Sequence, residues 1–266
     1  MGARVGVDAG TRTGNAKQRW PTTLWIVRHG ESSGNVARDA AHAAGLADIA
    51  IDTRDVDVPL SGLGERQAEA LGRWFADLPK LERPSVVLSS PYMRAQQTAE
   101  IITRVTCTDD RVLKIAHDER LREKEFGILD RLTRTGIEQR YPDEANRRAL
   151  VGKFYYRPPA GESWADVVLR LRSVLDSVSL HYAGERVLIV AHQVVVLCLR
   201  YLLESMDEKT ILAIDREGDV ANCSVTEYGL LDGDEAMQLA RYNYVAPLKR
   251  EGAPVTEEPD DNGAAR

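Results

Sequence analysis

Hydrophobic residues in this chain fall into two kinds of run. Some are short and nearly unbroken: Leu24-Trp25-Ile26-Val27, Val86-Val87-Leu88 and Val187-Leu188-Ile189-Val190-Ala191. Such runs predict strands covered on both faces. Others recur every third or fourth position between charges. Ala68, Leu71, Trp74, Phe75 and Leu78 predict a helix capped by Ser61 and stopped by Pro79. Val167, Leu171, Val174, Leu175 and Val178 predict a second, opened by the capping box of Ser163 and Asp166. A third apolar helix, Val194 to Leu203, follows the 187–191 strand directly. Val112 to Ile115 predicts one more short strand, and 220–228 and 237–245 two late edge strands. Thr135 with Glu138 predicts a short helix ending near Tyr141-Pro142. Alternation of strand and helix through 24–203 predicts an α/β protein, a three-layer α/β/α sandwich on a mainly parallel sheet.

The ends of the chain lack this pattern. Residues 1–20 are rich in Gly, Thr, Ala and Arg, and 247–266 in Glu, Asp, Pro and Gly, so both are expected as disordered tails around a single domain spanning 21–246. Within it, Val36 to Ile51 predicts an Ala-rich helix broken around Gly45, followed by an extended segment before Pro59. The stretch 36–58 is expected either as a lid or as a packed surface insertion. No internal repeat is present.

Composition narrows the picture. A chain of 266 residues with formal charge -6 is an ordinary acidic protein and offers no general attraction for nucleic acid or anionic membranes. No apolar run reaches the roughly 20 residues a bilayer requires, and no secretory h-region is present, so the cytoplasm is the expected compartment. Cys107, Cys198 and Cys223 show neither a disulfide framework nor metal spacing.

The chemistry lies where strands end. The first delivers Arg28-His29-Gly30-Glu31-Ser32-Ser33-Gly34-Asn35, the second leads through Ser89-Ser90-Pro91 to Arg94, and the third delivers His192-Gln193. Parallel strands bring such ends to one edge of a sheet. Two arginines and a histidine converging there make a site for a compact anion, because the guanidinium fork matches phosphate oxygens. Arg94 one turn into a helix is electrostatically unfavourable until an anion sits beside it. A second imidazole suggests more than binding: a neutral ring nitrogen can attack phosphorus if a backbone carbonyl holds the other as a donor. The leaving oxygen then needs a proton, for which Asp118, Glu119, Glu123 and Glu125 are all candidates. No nucleotide-binding P-loop, dinucleotide fingerprint or nucleophile elbow is present. Zinc held by both histidines is disfavoured by the flanking arginines.

Arg28-His29-Gly30-Glu31-Ser32, Leu60-Ser61-Gly62-Leu63-Gly64, Ser89-Ser90-Pro91 with Arg94 and Thr98-Ala99, Leu121-Arg122-Glu123, Gly161-Glu162-Ser163 and Ala191-His192 occur in this order. Together they resemble the histidine phosphatase superfamily, the phosphoglycerate-mutase-like fold, over residues 23 to 230. The resemblance implies a catalytic set of His29, Glu123, His192, Arg28 and Arg94, with His29 as nucleophile and Glu123 as proton donor. Arg28, Arg94, His192 and Asn35 would hold the phosphoryl group, without metal or other cofactor. The second half is similar to fructose-2,6-bisphosphatase domains through Glu138-Gln139-Arg140-Tyr141-Pro142, Lys153-Phe154-Tyr155-Tyr156-Arg157 and His192-Gln193. That similarity marks Lys153, Arg157 and Gln193 as specificity residues. Ala149, Trp164 and Leu197 depart from it, standing where that domain uses Arg, Tyr and Arg, and Arg134 replaces a tyrosine.

Gln193-Val194 after the second histidine differs from the small pair found in mutases, which favours hydrolysis of a small phosphomonoester such as a sugar phosphate or a phosphoglycerate-like metabolite. A phosphoglycerate-type mutase and a non-catalytic phospho-ligand binder are the alternatives. The expected partner is a small phosphorylated molecule, not nucleic acid or membrane. Oligomeric state, a homodimer included, is left open.

Overall fold

The computed structural model describes residues 20–107, 113–230 and 235–257. Most of the expected N-terminal tail and residues 258–266 lie outside them. One sheet organises the molecule, made of β1 (Thr23–Arg28), β2 (Val86–Ser89), β3 (Ile115–His117), β4 (Arg186–Ala191), β5 (Val225–Gly229) and β6 (Gln238–Tyr244). Its order is β3-β2-β4-β1-β5-β6. The first four strands are parallel, while β5 runs antiparallel to β1 and β6 antiparallel to β5.

The apolar runs explain the layers, because alternate side chains of each strand enter opposite cores. Leu24 and Ile26 of β1, with Val187, Ile189 and Ala191 of β4, pack against α6 (Trp164–His181) and α7 (Gln193–Leu203). Trp25 and Val27, with Leu188 and Val190, face α2 (Gly62–Ala76) and α3 (Met93–Thr106). α1 (Ser33–Ala43), α4 (Arg134–Arg140), α5 (Pro142–Val151), α8 (Glu208–Glu217) and α9 (Ala246–Arg250) complete the described α-helices. Ser61 caps α2, and the Ser163/Asp166 box opens α6, as the pattern predicts. Among the described residues no helix is long and apolar enough to cross a membrane.

Several elements differ from expectation. Of the strand predicted over Val112 to Ile115, Val112 lies outside the described residues, and pairing begins at Ile115, opposite Val87. β5 is interior, hydrogen-bonded between β1 and β6. α4 takes its cap from Thr133, whose hydroxyl accepts from Gly136 N, and not from Thr135. α4 ends at Arg140 beside Tyr141-Pro142, as expected, but Pro142 then opens a further helix, α5, since proline suits a first helical turn. α1 ends at Ala43, short of Ile51.

The largest correction concerns the C-terminus. The tail expected from residue 247 joins the core through α9: Pro247 and Leu248 are buried, and a leucine so placed is worth about 2 kcal/mol of burial. The chain then runs back so that Thr256 O accepts from Asn222 N, while Gln67 donates to Pro254 O and to Thr256 Oγ1. Ala253 and Val255 of the same stretch also pack against the core that holds Leu248.

Candidate active site

Register assembles the site. Arg28 ends β1 opposite Ala191 at the end of β4, so the next residues, His29 and His192, emerge side by side. His29 N donates to Ala191 O at 2.9 Å, and the two imidazole centroids lie 5.1 Å apart. Ser89 of β2 pairs with Val190, which places Ser90 beside His192; the Ser90 hydroxyl and His192 Nε2 are 2.8 Å apart.

The loop after His29 folds tightly against the start of α2. A Cβ on Gly30 would lie 2.5 Å from Gly64 O, and one on Gly64 would lie 2.0 Å from Glu31 O. Only glycine at both positions permits that approach. Ser61 donates to the Glu31 carboxylate, and Ser32 caps α1 in a capping box with Asn35. From the other side Asn222 Nδ2 donates to His29 O at 3.0 Å, and Cys223 N donates to Arg28 O. The main chain bearing His29 is therefore fixed on every side.

This frame sets the imidazole's tautomer. His29 Nδ1 lies 2.7 Å from Gly30 O, a pure acceptor, so Nδ1 carries the proton. Nε2 holds the lone pair and accepts from Arg94 Nε at 3.2 Å. Burial, followed by the charges of Arg94 and Arg28, lowers the His29 pKa well below its ordinary value. His192 is lowered likewise, first by burial and then by Arg94. Both rings are neutral at pH 7.

Around His29 opens a cleft of about 600 Å³. Arg28, Asn35, Arg94, Glu123 and Gln193 line it, as do Arg38, Asp55 and Asp130, which sequence reasoning did not single out. Arg38 had a detectable signal: it lies one turn after Asn35 and Gly34 on α1. Asp55 had none. His192 is fully buried behind this wall, with Nδ1 lacking any hydrogen-bond partner. Of the four candidate acids, Glu123 is the one lining the cleft. Asp118 is bound by Arg120, whose hydrogen bonds hold its carboxyl below the usual range, and Glu125 accepts from the Tyr92 hydroxyl.

The specificity candidates separate. Gln193 bridges Arg28 and Asp219, accepting from one and donating to the other at 2.9 Å. Lys153 lines a neighbouring pocket of about 330 Å³, ion-paired with Asp215 and lying over Trp164. Arg157 lines neither cavity; it is exposed and paired with Asp166 in the first turn of α6. Arg148, one residue before the departure noted at Ala149, is buried and lines the Lys153 pocket together with Lys124. Asn35 gives its Oδ1 to the Ser32 amide and hydroxyl. The group it can offer an anion is therefore Nδ2. Among the described residues no three His, Cys, Asp or Glu side chains come together as a metal site.

A mostly parallel sheet with paired neutral imidazoles and guanidinium groups at its strand ends defines an α/β protein with a cleft suited to a compact anion. The chain belongs to the histidine phosphatase superfamily, branch 1, whose family model matches residues 24–243. A probable phosphoglycerate mutase, GpmB, of Yersinia enterocolitica is 31% identical over 205 residues, covering 76% of this chain and 82% of that protein. The 6-phosphofructo-2-kinase/fructose-2,6-bisphosphatase of Caenorhabditis elegans is 33% identical over 67% of this chain, which spans only 33% of that enzyme's length. A solved mycobacterial glucosyl-3-phosphoglycerate phosphatase matches with a TM-score of 0.64 at 25% identity, covering 84% of this chain and 99% of that one. The alpha-ribazole phosphatase of Shigella flexneri shares the fold, with a TM-score of 0.66 at 23% identity over 84% of this chain and 97% of that one. These likenesses support an enzyme acting on phosphate esters.

Proposed function

We propose that the protein hydrolyses a phosphomonoester of a small metabolite, a sugar phosphate or phosphoglycerate-like compound, through a phosphohistidine on His29. The observation that carries this reading is the fixed tautomer: Gly30 O holds Nδ1–H, so the Nε2 lone pair faces the cleft wall lined by Arg94. In the first step Nε2 attacks phosphorus, the ester P–O bond breaks, and Glu123 gives its proton to the leaving oxygen. In the second, Glu123 takes a proton from water, the new P–O bond forms, and the P–N bond breaks to release inorganic phosphate. Arg28, Arg94 and Asn35 Nδ2 hold the equatorial oxygens, where charge spreads in the transition state. A phosphoryl oxygen held near both rings would give His192 Nδ1 the partner it lacks in the protein.

The adjoining pocket supports a substrate with a second anionic group. Lys124, Arg148 and Lys153 line it, and Phe126 borders both cavities. A panel of sugar phosphates, phosphoglycerates and nucleotides assayed for released phosphate tests the reading, together with rapid acid quench for a labile phosphoryl adduct. Phosphate release with an adduct lost in His29→Ala supports it. Isomerised product exceeding free phosphate would make the protein a mutase of the kind named among its relatives, and ligand binding without turnover would make it a phospho-ligand binder.

A further inference from the structure

The Arg94 guanidinium, only 7% exposed, is not waiting open for a phosphoryl group. Asp55, from the 3-10 turn Asp55–Asp57 in the 36–58 segment, accepts from Nη1 on Oδ1 at 2.9 Å and from Nη2 on Oδ2 at 3.1 Å. A carboxylate taken in this two-pronged way occupies the donors that would otherwise grip two phosphoryl oxygens. With Nε directed at His29, the fork is almost fully used by the protein itself.

We propose that Asp55 is a resident carboxylate that competes with the phosphoryl group for Arg94, weakening the hold on phosphate and returning to the guanidinium as inorganic phosphate leaves. This rests on the reaction proposed above for its physiological meaning, though the competition itself needs no turnover. The asymmetry of burial makes the exchange workable. Arg94 is deep enough that leaving it without an anion is costly. Asp55 is 44% exposed, so its carboxylate regains water on swinging aside. Either occupant satisfies the buried charge, and the site never stands uncompensated. For a hydrolase whose product is also an anion for the same fork, an internal competitor speeds release.

The turn does not depend on that carboxylate for its position. Arg94 Nη1 also donates to the Asp55 backbone carbonyl at 2.7 Å, and Arg131 donates to Ile51 O and Thr53 O just upstream. Val58, downstream, is buried. Removing one charge from Asp55 therefore changes the competition without freeing the segment. Asp57 provides the control, being on the same turn but paired with Arg54 at the surface.

The test is calorimetric titration of inorganic phosphate into the wild type, Asp55→Asn, Asp55→Ser and Asp57→Asn, with thermal unfolding of each. Both Asp55 variants are expected to bind phosphate about tenfold more tightly, and Asp57→Asn as the wild type does. Phosphate should correspondingly become a stronger product inhibitor in any turnover assay. Unchanged or weaker phosphate binding in folded Asp55 variants overturns the proposal, as does an equal gain in Asp57→Asn, which would mean a general charge effect. If the wild type turns over no phosphomonoester yet the Asp55 variants tighten phosphate binding, the reaction fails and the competition stands. If His29→Ala abolishes turnover while the Asp55 variants bind phosphate like the wild type, the reverse holds.

Discussion

The cleft around His29 and the pocket around Lys153 adjoin one another, share Phe126, and are built by opposite means. In the cleft, His29 and His192 leave adjacent strands whose pairing fixes their relative height, and the Gly30 carbonyl on the ring and the Asn222 side-chain amide on the His29 carbonyl hold the loop. In the pocket, the polar groups come from helix α5 and irregular chain, and are balanced by side chains: Asp215 holds Lys153, and Glu144 accepts from the Tyr156 hydroxyl. The first arrangement gives fixed geometry. The second gives charge that can be re-paired when a ligand enters. Chemistry at a phosphorus atom needs the former, and recognition of the rest of a substrate is served by the latter.

The contrast breaks first at the proposed nucleophile. His29→Ala is expected to lower kcat on every phosphomonoester by at least about a thousandfold, since the covalent route is lost whatever the leaving group. Arg94→Ala should cost about a hundredfold in kcat/KM, again on all substrates, and Arg94→Lys should recover little because a point charge cannot reproduce the fork. Steady-state rates on an aryl phosphate check both. If either variant spared small substrates, the cleft would not be the common reaction end.

The pocket should behave differently. Arg148→Ala is expected to raise KM about tenfold for a substrate carrying a second anionic group, and to leave an aryl phosphate unaffected. The ratio of the two KM changes is the measurement. A uniform loss on both substrates would mean that the two cavities are one site.

Acid stability separates the regions again. Both active-site imidazoles are buried and have pKa values lowered by that burial. The unfolded chain takes up these protons near pH 6.5 while the folded protein does so only at lower pH. Stability is then complete above about 6.5 and falls as pH drops from there toward the folded values. Unfolding midpoints measured from pH 7 to 5 should decline less steeply in His192→Gln than in the wild type. The Arg148 variant should follow the wild-type slope.

Much of the cleft was legible in the sequence for a physical reason. Unbroken apolar runs mark central strands, and a polar residue following such a run has a place in space once the strands are known to be parallel. Arg28, His29 and His192 are of this kind. Arg94 was legible as a charge on the unfavourable end of its helix. Asp55 was not, because its partner is set by the path of an irregular segment, and nothing local encodes that path. The Lys153 pocket was half legible. Lys153 follows a resemblance, but the burial of Arg148 beside it depends on how α5 is rotated, and α5 itself was hidden behind a proline read as a stop.

The C-terminal strap carries the smallest effect and the finest version of the contrast. Thr256 Oγ1 donates to Asn222 Oδ1 at 3.0 Å, and Asn222 Nδ2 in turn donates to His29 O. Gln67 links the same strap to the loop, accepting from Glu31 N at 2.8 Å. A residue far along the chain thus steadies the backbone of His29 without lining the cleft. Thr256→Val keeps the shape and removes the hydroxyl, leaving Asn222 less constrained. The expected cost is a several-fold fall in kcat with KM unchanged, because a displaced His29 loses attack geometry more than affinity. Thr256→Ser should restore the rate. A structural role alone would instead lower the unfolding midpoint and leave kcat of the folded enzyme intact, so the two measurements taken together decide whether the rigidity of the reaction end extends to the strap.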